Sequence, residues 1–473
     1  MSSQVANMGS GIKCEHISEQ LLVFAGGGLH VDPKSGIARF GPKSHGLRRH
    51  PDTVRVGIIG TANTLDKSRE WLDTNAKGVP GDEGHPEFPG FREDRGFFSE
   101  LTFDDEWTAQ ITQSEMAEVL GCHSSRDRFL RAVDLLEDKL RFLSETDQPP
   151  QYVLVGLPSE LLHSCSTADY HEKGLGLVHR DLRRAFKAVA MKYRIPTQIL
   201  RQPTMEGKDP DNPSKIAWNF FTGLYFKAGG VPWGPTGLPP GTCYVGISFY
   251  RPLGSGFQSM QTSLVQAFDE NGEGIVLRGH DIEWDAEEEG SRAPHLNEEQ
   301  AAVLIETVLT RYQQEVKQLP KRVVVHKTSQ YWPAEREGFQ SALRHKVDRY
   351  DLLTLQPQEA VRLITQSKYP PLQGTAFSVG TLDFLYTTGF VPELGEFHGM
   401  HVPSPIRISD HVGQDTPRAA LLRELLMLTK MNWNSAHLGG LLPITVRFAR
   451  LVGDIMREIP SDREPLPQFK FYV

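Results

Sequence analysis

FFTGLYFKAGGVPW, Phe220 to Trp233, followed by a turn-rich linker and CYVGISFYR, Cys243 to Arg251, marks the point where the chain changes regime. An apolar helical stretch reaches Lys227 and then meets two glycines, a proline and a tryptophan, a combination that stops a helix and turns the chain. The aromatic and β-branched run after Cys243 reads as a strong strand. Upstream, TVRVGIIGT (Thr53–Thr61), QYVLVGLP (Gln151–Pro158) and Thr197–Arg201 are short continuous apolar runs of the kind that form buried parallel strands. Helical patterns lie between them, a polar one near Leu65–Asn75 and a long amphipathic one around Ser125–Thr146. Strands alternating with helices predict a doubly wound, Rossmann-like α/β unit. Leu21–Pro42 reads as a strand followed by glycine and Asp-Pro turns, and Gly78–Asp105, rich in Gly, Pro and Asp, as a surface loop.

Downstream the order differs. CYVGISFYR, SMQTSLVQAFDE (Ser259–Glu270) and GIVLRG (Gly274–Gly279) are three β-rich runs, the last two separated by the hairpin signal Asn271-Gly272. A helix capped by Asn297 follows and runs to about Gln318. RVVVHKTS (Arg322–Ser329) is a fourth strand, Pro333 opens another helix, YDLLTLQ (Tyr350–Gln356) is a fifth strand, and two helices close the chain. Three antiparallel strands followed by alternating helices and strands is the order of an RNase H-like domain.

The 473 residues are too many for one core and imply two large domains, and 39% hydrophobic with 23% charged residues is ordinary for a globular protein. No apolar run reaches the ~20 residues of a membrane span, and no signal-peptide pattern opens the chain, so a cytoplasmic location is expected. Cys14, Cys122, Cys165 and Cys243 have no CxxC spacing and read as buried free thiols. A formal net charge of −8 excludes indiscriminate nucleic-acid binding, so any such site is local. The local candidate is HRDLRRAFKAVAMKYR, His179–Arg194, with Arg180, Arg183, Arg184, Lys187, Lys192 and Arg194 against Asp181 alone. Arg183 and Lys187, four apart, share one helix face, where a solvated surface is the competing reading. Acid collects instead at Asp281–Glu289.

GGG at Gly26–Gly28 and GIIGT at Gly57–Thr61 supply neither GxGxxG nor a Walker lysine and read as tight turns. His326 is expected to cap the fourth strand, and Trp233 and Trp433 to anchor core or turns.

Five stretches together resemble the short prokaryotic Argonautes, which consist of a MID and a PIWI domain. They are DPKSGIARFGP near the start, IPTQILRQ (Ile195–Gln202), FKAGGVPW (Phe226–Trp233), PSPIRI (Pro403–Ile408) and LTKMNWNSAHLGGLLPITVRFARLV (Leu428–Val452). The resemblance implies an N-terminal tail over 1–20, a MID domain over 21–240 and a PIWI domain over 241–473. It also implies a 5′-phosphate pocket made by Lys187, Gln198 and Lys227, with Arg183 where the family places an aromatic residue. The carboxylate of Val473 would help hold Mg²⁺ between the phosphates of the guide.

RNase H-type cleavage needs carboxylates around paired cations. At the matching positions this chain has Ser248, Thr328 and Arg450, two hydroxyls and a cation, which implies lost cleavage. The acidic residues Asp281, Glu283, Asp285 and Glu287 could supply relocated ligands, though a solvated acidic loop is the plainer reading. The expected activity is recognition of target DNA through a guide RNA. The implied partner is a separate APAZ-domain protein fused to a Sir2, TIR or nuclease effector, with NAD depletion and oligomerisation on activation. A guide-directed nuclease and a scaffold for the APAZ partner are the alternatives.

Overall fold

A computed structural model of the chain describes residues 12–172, 176–251, 259–268, 274–284, 294–358, 360–395, 397, 399, 401–413, 416–459, 463 and 466–473. The described residues open with a strand, β1 (Ile12–His16), within the stretch where a tail was expected. It is an edge strand of the second domain's sheet, antiparallel to a strand more than 350 residues later, with His16 level with Thr375. A tail reading missed it because five residues of mixed polarity carry no periodic signal.

A short helix, α1 (Pro33–Phe40), follows where turns were expected. Asp32 accepts a hydrogen bond from the Ser35 N–H, and Pro33 needs no donor at the first helical position. Asp-Pro here begins a helix and does not mark a turn.

The first domain is built on an all-parallel sheet. β2 (Thr53–Gly60) sits centrally; β3 (Glu100–Thr102), β4 (Thr108–Gln110) and β5 (Tyr152–Leu157) pair with it, and β6 (Thr197–Arg201) pairs with β5. Successive residues feed opposite layers. Val54, Val56, Ile58, Tyr152 and Leu154 pack into one core with helix α2 (Ala62–Ala76), while Ile59, Val153 and Val155 pack into another with α3 (Ser125–Ser144). Helices on both faces of a parallel sheet are the Rossmann-like arrangement that the alternation of patterns predicts. Helix α4 (Leu182–Ala190) lies on the α3 side, after a hairpin, Thr167–Glu172 with Gly176–Asp181, that the sequence reading missed.

Gly78–Asp105 is no surface loop. Phe88, Phe91 and Phe97 are buried against Trp218, Phe221 and Tyr225 of helix α5 (Pro213–Lys227). Gly78, Gly84, Gly90 and Gly96 adopt positive φ and let the segment fold back on itself while its aromatic rings turn inward. The turn residues and the buried residues are interleaved, so composition alone reads as loop.

The second domain carries a nine-stranded mixed sheet. β7 (Thr242–Tyr250), β8 (Ser259–Phe268) and β9 (Gly274–Trp284) form the expected antiparallel meander, with Phe268 level with Gly274. The Asn271-Gly272 turn lies outside the described residues. Helix α6 (Glu298–Val316) starts in a capping box between Asn297 and Gln300 and leads to β10 (Arg322–Lys327), parallel to β7. Helix α7 (Pro333–Leu343) leads to β11 (Arg349–Pro357), parallel to β10. The sheet then continues where only helices were expected, through β12 (Thr375–Val379), β13 (Leu382–Leu385) and β14 (Ile406–Gly413), before α8 (Arg418–Leu428) and α9 (Ile444–Met456). PSPIRI is thus the start of β14.

Arg322 ties this sheet to α8. It donates to Asp351 at 2.8 Å and Glu424 at 2.7 Å in the buried interior, and Asp351 also accepts from Thr416 at 2.9 Å. Of the four cysteines Cys165 and Cys243 are buried, but Cys14 is exposed on β1 and Cys122 is partly exposed, so the expectation of buried thiols holds for two. No helix among the described residues is long and apolar enough to cross a membrane.

Helix α9 crosses β7 closely at Gly246. A Cβ built there would lie 2.1 Å from the main-chain oxygen of Thr445, and a backbone oxygen cannot rotate aside. Gly246→Ala is therefore expected to displace α9 and to lower stability by about 1–3 kcal/mol, read as a fall in the denaturant midpoint at unchanged slope. A midpoint equal to wild type contradicts this packing.

Candidate nucleic-acid interface

Asp181 begins α4, its carboxylate accepting from the Arg184 N–H at 2.9 Å, and the helix then carries Arg183 and Lys187 on one face. Lys187 is 3% exposed. Its ammonium donates to Thr197 O at 3.2 Å and to the main-chain oxygen of Val473. From the end of α5, Lys227, 1% exposed, donates to the same Thr197 O at 3.3 Å and to Gln198 Oε1 at 2.5 Å. Two buried ammonium groups thus converge on one carbonyl at the start of β6, and Val473 is itself fully buried beside them. Lys187, Gln198, Lys227 and Val473 all arrive at one place.

The electrostatics are unfavourable as they stand. Burial pushes the Lys187 pKa well down, and the charges of Lys227 and Arg183 add to it; burial, then Arg183, does the same to Lys227. Arg183 is itself lowered by burial, partly offset by Asp181. Like charges close together in a poorly hydrated volume destabilise their own ionised forms. Lys187 and Lys227 donate to main-chain and amide oxygens, and among the described residues no carboxylate side chain pairs with either. Such a site relaxes when an anion with several oxygens enters.

The rest of the basic run serves structure. Arg180 pairs with Glu458 at 2.6 Å and Arg184 with Asp454 at 3.0 Å, both across to α9 and the residues just after it. Lys192 pairs with Glu137 of α3. Five of the six cations in this stretch therefore divide into the Arg183 and Lys187 pair, an interdomain clamp of Arg180 and Arg184, and the local ion pair of Lys192, a division that spacing alone does not reveal.

A second basic group was missed. Lys34 of α1, Lys215 at the first turn of α5 and Arg447 of α9 lie near His437, whose pKa is lowered by burial and then by these three charges. The loop carrying His437 runs along α5, with Asn219 Oδ1 accepting from the Ala436 N–H at 3.2 Å. Four residues scattered over more than 400 positions leave no sequence signal.

Gly246 pairs with His326 at the end of the parallel ladder between β7 and β10; Ser248 lies two residues further along β7, and Thr328 lies just past the end of β10. Ser248 shares the strand face of Gly246, which α9 crosses, because side chains two apart share a face. His326 Nδ1 meets Thr445 Oγ1 at 2.8 Å, and Gly453 packs near Tyr250, so α9 runs along this face with Arg450 at the level of Ser248. His326 does not cap the strand. It lies within β10, with burial and then Arg322 pushing its pKa down to about 3. Among the described residues no group of three or more His, Cys, Asp and Glu is arranged to hold a metal. The side chains of Asp281 and Glu283, and all of Asp285 and Glu287, lie outside the described residues.

The place where Lys187, Gln198, Lys227 and Val473 meet, as it stands, does not fit Mg²⁺. The Lys187 ammonium takes the Val473 oxygen that would ligate it, and Lys227 takes Gln198 Oε1. Trp233 is the expected anchor, fully buried and donating to Lys430 O at 3.0 Å.

No protein-family profile and no curated protein matches the chain. Solved structures do. Clostridium butyricum Argonaute, bound to a guide DNA and a 19-mer target DNA, aligns over 96% of this chain with a TM-score of 0.68 at 15% identity. Argonaute of A. aeolicus aligns over 96% with a TM-score of 0.57 at 16% identity, and Drosophila Piwi over 97% with a TM-score of 0.57 at 12% identity. The chain spans about half the length of these proteins, 54–56% of each. The fold is therefore Argonaute-like, a Rossmann-like domain followed by an RNase H-like domain.

The depressed lysines make a pH prediction. Between the lowered folded pKa values and the ordinary 10.5, the folded chain binds fewer protons than the unfolded chain, so its stability rises with pH across that window. Phosphate entering the pocket restores the charged forms and should draw protons from solution. Titration calorimetry of a 5′-phosphorylated oligonucleotide in buffers of differing ionisation enthalpy should show net proton uptake in that window. Heats independent of buffer count against two cations facing the phosphate.

Proposed function

We propose that this chain anchors the 5′ phosphate of a short guide strand, RNA, between Lys187 and Lys227, and presents the guide for pairing with target DNA. The observation that carries the reading is the buried excess of positive charge on Thr197 O, a cost that a doubly charged phosphate with several acceptors offsets. Arg183 reaches the same volume and adds charge where stacking on the first base would otherwise be provided. Gln198, held by Lys227, orients that ammonium. The Lys34, Lys215, His437 and Arg447 group takes the sugar-phosphate backbone leaving the pocket. Base pairing then supplies sequence specificity while the protein reads backbone shape.

Target recognition by this chain does not end in cleavage. The reading rests on Ser248, Thr328 and Arg450 at the positions matched to metal ligands: two hydroxyls and a guanidinium supply none of the anionic charge that two divalent cations need. The signal passes instead to a separate effector, for which the resemblance to short prokaryotic Argonautes supports an APAZ-domain protein fused to Sir2, with TIR or nuclease as alternatives. NAD depletion in the cytoplasm of a cell invaded by a plasmid or phage is the outcome, with oligomerisation of the loaded complex as the trigger.

Two measurements test this reading. Lys187→Ala with Lys227→Ala removes two charge-assisted contacts of about 1.5–3 kcal/mol each. It should weaken binding of a 5′-phosphorylated guide at least about 100-fold while sparing a 5′-hydroxyl guide; equal loss for both guides would sink the pocket assignment. Guide-loaded protein incubated with complementary target and Mg²⁺ or Mn²⁺ should leave the target intact, and a cut within the paired stretch would establish a nuclease with relocated ligands.

A further inference from the structure

The charges beneath α8 do not balance. Arg322 at the start of β10 donates to Asp351 of β11 and to Glu424 of α8, so among the described residues one permanent cation faces two buried carboxylates. The other polar neighbours come from every element packed there. His411 of β14 donates through Nε2 to Asp351 Oδ1 at 2.9 Å, Thr416 donates to Asp351 Oδ2, and Tyr244 of β7 lies beside Glu424. His326 of β10 is kept neutral, its pKa pushed down to about 3 by burial and then by Arg322. Among these titratable groups His411 alone reaches solvent, with 35% of its side chain exposed.

Two observations say where the imbalance is met. A buried carboxylate in excess of its cations answers by taking a proton, because an uncompensated charge is strongly disfavoured away from water. Burial raises the pKa of Glu424, the Asp351 charge adds to this, and Arg322 offsets it only in part. Asp351 goes the other way: burial alone would raise it, but the hydrogen bond from His411 and the charge of Arg322 hold it below the usual carboxylate range. The second observation is geometric. Glu424 Oε1 accepts from Arg322, whereas Glu424 Oε2 is buried and has no hydrogen-bond partner among the described residues. The Tyr244 hydroxyl, buried and likewise without a partner, does not reach it. One oxygen of Glu424 therefore receives no donor, the arrangement in which ionisation is least favourable.

We propose that this network carries one proton on Glu424 in the folded chain, and that loss of this proton as the pH rises loosens α8 from the sheet. With the proton in place Arg322 balances Asp351, and Glu424 is an uncharged acceptor for the same guanidinium. Without it a second negative charge stands beside Asp351 on the inner face of a helix whose other buried contacts there, Leu421, Leu422, Leu425 and Leu428, are apolar. The unfolded chain gives up the proton at the ordinary 4.5. The stabilisation is therefore fully present below 4.5 and is lost as the pH rises through the raised value. The device does not involve the Lys187 and Lys227 pocket, so either assignment can fail alone.

Infrared titration and hydrogen exchange of the full chain test it together. Just above 4.5 the spectrum of wild type minus Glu424→Gln should contain the carbonyl stretch of a protonated carboxylic acid, and that band should vanish as the pH is raised. Exchange then reads the release. Once the band is lost, the protection factors of the amides of Leu421 to Leu428, corrected for intrinsic exchange, should fall by up to about tenfold per pH unit, the limit set by one linked proton. Glu424→Gln, which keeps the shape and cannot ionise, should hold those factors constant across the same range. The exchange profile of wild type needs no substitution, so a Glu424→Gln chain that fails to fold leaves the test standing. A carboxylate ionised throughout the range, α8 protection that does not change with pH, or the same change in Glu424→Gln overturns the proposal.

Discussion

Two lysines share one carbonyl. Lys187 and Lys227 approach Thr197 O from helices on either side of a parallel strand, and neither has a carboxylate side chain to neutralise it. Proteins seldom leave two buried ammonium groups so close, because the cost of removing each from water is only partly recovered by the hydrogen bonds they donate. The surrounding packing imposes it: α4 is fixed by Arg180 and Arg184 on the far domain, and α5 by its aromatic face against Phe88, Phe91 and Phe97. The two charges are held together at the expense of the protein's stability, the trade expected where rigid elements fix groups in place against their own repulsion.

How much of this was legible in the sequence depended on the distance over which each signal acts. Parallel strands such as Tyr152–Leu157 are buried on both faces, so their continuous apolar run is a local signature. The capping box at Asn297 and Gln300 is equally local. By contrast β1 is a strand only because Thr375–Val379 offers it an edge, and β12 to β14 depend on one another for burial. In Gly78–Asp105 the glycines and prolines that suggest a loop are the means by which three phenylalanines reach the core.

The site was legible to the same extent. Residue type and spacing placed Arg183 and Lys187 on one helix face, but the burial of Lys187 and the diversion of Arg180, Arg184 and Lys192 into ion pairs follow from tertiary contacts. Gly246 and His326, 80 residues apart, are set side by side only through the register of two parallel strands. The basic group around His437 and the charges around Arg322 have no linear motif, since each draws its members from segments that meet only after folding.

Helix α9 connects these places. Its first turn lies on Gly246 and His326, Arg450 stands at the level of Ser248, Phe448 stacks on Phe469, and its end pairs through Asp454, with Glu458 just beyond, to the helix that carries Lys187. A helix packed this closely moves as a unit, because a backbone oxygen against Gly246 leaves no room for independent adjustment. Helix α4 is joined to α9 by direct packing, by the Arg184–Asp454 ion pair, and by Arg180 just before α4 pairing with Glu458 just after α9. The same rigid element thus bears on the place where Lys187 and Lys227 meet and on the sheet face that carries Gly246 and His326.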